Sequence, residues 1–84
     1  MKSQKALDKI LVNVGLRLAE LREKKGYLTI KEFVTENDLP EIQYWRIEKG
    51  KANITLKSLM KILTIHKVSL QDFFCAITAG PNPR

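Results

Sequence analysis

Apolar residues recur at three- and four-residue steps through the first part of the chain. Leu7, Ile10, Leu11, Val14, Leu18 and Leu21 make one stripe, which predicts a helix from about Lys5 to Lys25. Lys24 and Lys25 suit the negative end of its dipole, and Gly26 is placed to stop it. Thr29 is the cap of a second, short helix over about Ile30–Asn37, with Glu32 at the capping-box position and Phe33 and Val34 inward. Asn37 and Asp38 break it, both tolerating left-handed backbone angles. A third helix follows at about residues 40–49, with Pro40 in its first turn, Tyr44 and Ile47 facing inward beside Leu39, and Gly50 at its end. Thr55 heads a fourth helix carrying Leu56, Leu59, Met60, Ile62 and Leu63, with Met60 assigned to the core. Ser69 heads a fifth, with Asp72 three residues on and Phe73 and Phe74 beneath it. Ile54-Thr55-Leu56 is too short for a strand, and nothing else alternates with a period of two. Five short helices with tight connections imply an all-α orthogonal bundle with an extended first helix.

Length and composition narrow the function. The 84 residues suit one domain, expected over 1–78, with 79–84 as a frayed tail marked by Gly80, Pro81 and Pro83. A separate ligand-sensing domain would need roughly 50 further residues. Fifteen Lys and Arg against nine Asp and Glu give a net charge of +6, which suits a polyanionic partner. The charge is uneven: seven basic and three acidic residues over 1–26 give +4, two and five over 27–48 give −3, and six and one over 49–84 give +5. Positive charge therefore flanks the third helix. The single cysteine, Cys75, excludes an internal disulfide and is expected to be a small buried hydrophobe beside Phe73 and Phe74. No uninterrupted apolar segment resembles a signal peptide or a membrane span, so a cytoplasmic protein without membrane attachment is expected. One His, one Cys and no Gly-rich phosphate loop leave no catalytic residues, metal site or cofactor to assemble, and no small-molecule ligand is expected. His66 stands alone and is expected to be packed in the fold.

Helices two and three carry the function. Two short helices joined by about three residues are the pattern of a helix-turn-helix, whose second helix can enter a major groove. That geometry needs a small residue at the crossing, a left-handed position in the turn and apolar anchors on the second helix. Val34, Asp38, Leu39, Tyr44 and Ile47 fall at the required spacing.

From about Gly15 to Phe74, the chain resembles the Cro and lambda-repressor-like helix-turn-helix proteins, the XRE family. GLRLAELREKKG is similar to that family's first helix, of the form GxRIRxLRxxKG. TIKEFVTENDLP stands where the family has SQEELAxxxGIS. YWRIEKGKANITLKSLMKIL resembles LSRIERGxxxPSLxTLxKIA, and HKVSLQDFF resembles LGVSLDELF. The resemblance implies a bacterial transcriptional regulator, a repressor by expectation, that binds double-stranded DNA as a homodimer. It implies an ion pair between Arg22 and Glu48. Glu41, Ile42 and Arg46 match exposed positions of the recognition helix, and Trp45 joins them as a base-reading candidate. Lys49, Lys51, Asn53 and Lys31 are the phosphate candidates, and Phe73, Phe74 and Ile77 the dimer candidates.

Four departures qualify the match. Asp38 replaces the turn glycine, Val34 the crossing alanine, and Ile30 a glutamine that braces phosphate. One extra residue lies between Gly26 and Thr29. Three residues of the third helix keep open alternatives. Arg46 suits guanine, phosphate, or an ion pair with Glu41 or Glu48. Glu41 suits a cytosine amine, or a capping box with Asp38, which is favoured. Trp45 suits a DNA contact, a dimer contact or the edge of the core. The alternative function is a protein-binding module, antitoxin- or coactivator-like, on the same fold; the acidic middle segment and Ile30 favour it.

Overall fold

The computed structural model describes the backbone of residues 2–79 and the side chains of residues 5–77. Among these, the structure is five α-helices and no strands: α1 (Lys2–Lys24), α2 (Ile30–Asn37), α3 (Glu41–Glu48), α4 (Leu56–His66) and α5 (Leu70–Ala79). The helix α1 begins a turn before the position its apolar stripe suggests. At 23 residues it measures about 35 Å, close to the longest dimension of the molecule, 37 Å. The tail expectation falls on residues 80–84, outside the described residues, while Ala79 still belongs to α5.

The helix starts follow local hydrogen bonding. Thr29, Thr55 and Ser69 each accept the backbone N–H three residues on, from Glu32, Ser58 and Asp72, at 3.0–3.1 Å. These side chains satisfy donors that the first helical turn leaves unpaired. The exception is α3, whose N-cap is Pro40 and which has no side-chain cap.

The core joins Val14, Leu18 and Leu21 of α1 to Phe33 and Val34 of α2, Tyr44 of α3, Leu59, Ile62 and Leu63 of α4, and Phe73 of α5. Phe33 is its hub. The rings of Tyr27, Tyr44 and His66 lie 5.4, 5.2 and 5.3 Å from it, His66 in a near-parallel stack.

Two core assignments and one dimer candidate are corrected. Met60 is exposed, as is Leu56 one turn before it, because Leu59, Ile62 and Leu63 fill the inward arc of α4 and leave both on its flank. Cys75 is exposed too. It lies two residues from Phe73 and from Ile77, about 200° around the helix from each, so it faces away from the core they join. Phe73 has no exposed surface and packs edge-on against Phe74, which excludes it as a dimer contact in this fold. Phe74 and Ile77 are half-buried at the core's edge.

Candidate nucleic-acid interface

With eight residues and no cap, α3 depends on tertiary contacts for its position. Three contacts fix it. The first is a backbone approach to α1: a Cβ built on Gly15 would lie 2.2 Å from the carbonyl oxygen of Glu48 and 2.7 Å from that of Ile47. Only glycine lets the two helices cross this closely. This crossing is separate from the one between α2 and α3, where Val34 stands buried in the core. The second contact is ionic. Arg22 Nε donates to Glu48 Oε2 at 2.8 Å and Nη2 donates to Oε1 at 3.3 Å, both side chains buried. Arg22 Nη1 also donates to the Tyr27 carbonyl at 2.9 Å, tying in the α1–α2 loop. The Glu48 hydrogen bond outweighs burial and holds the guanidinium pKa above its ordinary value. The third contact is Tyr44, fully buried against Phe33. Burial and the nearby Glu48 carboxylate push its phenol above the ordinary range, keeping it neutral.

The α2–α3 turn sets the direction in which α3 leaves. Asp38 adopts φ 56°, ψ 50°, the left-handed region, and Leu39 N–H donates to the Val34 carbonyl at 2.9 Å. This geometry corrects the capping box expected between Asp38 and Glu41. Asp38 terminates α2 and Pro40 precedes α3, so Glu41 is the first residue of α3, exposed and separate from that cap. Ile30, at the start of α2, is half-buried against the core, which accounts for an apolar residue there.

The outward side of α3 carries Ile42, Trp45 and Arg46, and Glu41 is exposed at its first position. Ile42 is 77% exposed and Trp45 42%. Arg46 does not take up the ion pair considered for it with Glu41 or Glu48. Its Nη2 donates to the Lys51 carbonyl at 3.1 Å. Lys49 and Lys51 are exposed, and their ammonium groups lie 5.9 and 5.8 Å from the Trp45 ring centroid. Asn53 and Lys31 are exposed, the first in the loop after α3 and the second on α2. Sequence reasoning missed both Gly15 as a contact and the gathering of two lysines at Trp45. Among the described residues, no group of three or more His, Cys, Asp or Glu is arranged to hold a metal ion. Among the described residues, no helix is long and apolar enough to cross a membrane.

An all-α bundle that braces a short exposed helix against its longest one is consistent with a small helix-turn-helix protein. The chain is 32% identical over 71 residues to the control protein C.MunI of Mycoplasma sp., covering 84% of this chain and 96% of that protein. The chain belongs to the family of such control proteins. No family model and no solved structure matches it.

Proposed function

We propose that the protein is a sequence-specific, double-stranded-DNA-binding regulator of transcription. It acts as a repressor, and α3 reads the major groove. One observation carries this reading. Ile42, Trp45, Arg46 and Lys49 fall three or four residues apart on the open side of a helix whose other side is locked by Tyr44 and Glu48. On that side Ile42 suits a thymine methyl and Arg46 the O6/N7 edge of guanine, while Glu41, exposed at the start of α3, suits a cytosine amine. Lys49, Lys51, Asn53 and Lys31 border it as phosphate contacts. The control-protein relationship supports regulation as the role, with the genes of a restriction–modification system as its targets. The working unit is a homodimer of single domains spanning 1–78, because one module contacts few base pairs and two half-sites give specificity.

Selection from a randomised duplex pool at two salt concentrations tests the proposal. A palindromic motif enriched at both is the expected result. Weak binding without a motif, lost steeply with salt, overturns sequence-specific reading. Complete absence of binding by the folded protein favours the protein-binding alternative, for which exposed Ile42 and Trp45 offer an apolar surface.

A further inference from the structure

The segment Trp45-Arg46-Ile47-Glu48-Lys49-Gly50-Lys51 folds back on itself, and the fold-back gathers charge. Lys49 stands one helical turn after Trp45, so its side chain shares that face of α3. Gly50 then takes φ +71°, and Lys51 N–H donates to the Arg46 carbonyl at 2.8 Å while Gly50 N–H donates to that of Ile47 at 3.1 Å. This turn reverses the chain, and the Arg46 guanidinium closes it from the other side on the Lys51 carbonyl. Gly50 has no substitute here: its φ is left-handed, and a Cβ would lie 2.9 Å from the Val12 backbone. Lys51 is thereby carried back to the ring that Lys49 already occupies, the two ammonium groups at 5.8 and 5.9 Å from its centroid. The stretch from Ile42 to Asn53 has one acidic residue, Glu48, and that carboxylate is buried against Arg22. It does not neutralise the lysines.

Two like charges at one ring repel each other, and long exposed lysines lose freedom when held. The negative face of the indole offsets part of both costs. We infer that Trp45 is a positioning residue, not a base reader: it holds Lys49 and Lys51 as a preformed pair of cations for a stretch of nucleic-acid phosphate backbone. This role rests on the DNA-binding reading above and gives its phosphate contacts a physical origin. A ligand that brings fixed, closely spaced negative charge profits most from cations already in place, because their ordering does not have to occur on binding.

Two measurements test it. In the free protein, the ε-methylene protons of Lys49 and Lys51 are expected upfield of the other lysines by NMR, from the ring current of Trp45. The shift is expected to vanish in Trp45→Leu and persist in Trp45→Phe. Random-coil positions for both lysines in the unmodified protein overturn the inference without reference to DNA. The second measurement is binding to a selected operator and to an unrelated duplex. Trp45→Leu is expected to weaken both about three- to tenfold, the scale of one or two exposed cation–π contacts, and Trp45→Phe to restore most of the loss. Losses from Trp45→Leu and Lys51→Ala are expected to overlap in the double variant. Additive losses, or a Trp45→Leu loss confined to the operator, would make Trp45 a base reader. Failure of the unmodified protein to bind either duplex, with the ring-current shifts present, overturns the DNA-binding reading and this role with it.

Discussion

Gly15 and Glu48 are 33 positions apart, yet the absence of one side chain at the first allows the second to approach. Gly15→Ala forces a methyl to 2.2 Å from a main-chain carbonyl, where neither helix can yield without moving Tyr44 or the Arg22–Glu48 pair. The expected cost is about 3 kcal/mol, at the upper end for overpacking. Gly26→Ala is the control: its φ is +103° with open space around it, so it carries only the backbone penalty of about 1–2 kcal/mol. Urea unfolding of both variants checks the order, and equal losses would remove the close approach from the account.

His66 makes a second prediction at the same scale. It stacks on Phe33, and its Nε2 is buried without a hydrogen-bond partner among the described residues. Burial first, then the charge of Lys25, lowers its pKa below the ordinary value, with Glu48 opposing. As pH falls below about 6.5 the unfolded chain takes up a proton before the folded one does. The stability associated with neutral His66 is therefore complete above that pH and is lost as pH falls from there through the folded-state value. Melting temperature followed from pH 8 to pH 5 is expected to drop, and His66→Phe, which keeps the stack, is expected to flatten the drop.

At the scale of elements, one termination device recurs. The helices α1, α2, α3 and α4 end at left-handed Gly26, Asp38, Gly50 and Lys67, each with the same pair of hydrogen bonds back into the last turn. Two of these positions have no Cβ and two do. Lys67, at φ 59°, carries strain that glycine would not. Lys67→Gly is expected to stabilise by about 0.5–1 kcal/mol, the backbone gain exceeding the added unfolded-state entropy; a lower denaturation midpoint would show Lys67 making compensating contacts.

The open side of α3 belongs to this scale too. Arg46→Ala is expected to cost ~1–3 kcal/mol in operator binding and to relax one position of each half-site. Lys51→Ala is expected to weaken all sequences alike and to reduce the salt slope by about one. Affinity unchanged by both, in folded variants, removes α3 from the interface.

For the whole molecule, the unresolved balance of apolar surface lies at one end of α1. Leu7 and Ile10 are 36% and 47% exposed, although the same stripe is buried from Val14 onward. The helix α5 packs against α1 but leaves these residues open, and Phe74 and Ile77 remain half-covered. Deleting residues 1–11 is expected to lower stability or dimerisation while keeping the helical fold. Sedimentation at roughly 100 μM, with and without operator, reads the outcome. A monomer in both conditions rules out the homodimer, and an unchanged melting temperature and sedimentation make the extension dispensable.

Local rules explain what the sequence by itself determined. Helix starts at Thr29, Thr55 and Ser69 depend on a side chain reaching three residues along, and stops at Gly26, Asp38 and Gly50 depend on one residue's backbone freedom. Such interactions are complete within a single turn, so they are visible in the order of residues. The partnership of Arg22 with Glu48 was legible only through family resemblance, because 26 residues separate them. Tertiary structure decided the rest. A stripe of apolar residues states that a helix has an inner side but not how wide an arc its neighbours cover. Hence Met60 and Cys75 lie outside, and Phe73 rather than Phe74 is fully enclosed. The crossing at Gly15 and the meeting of Lys49 and Lys51 at Trp45 arise only when separate segments are brought together, since each is a property of distances that no linear spacing contains.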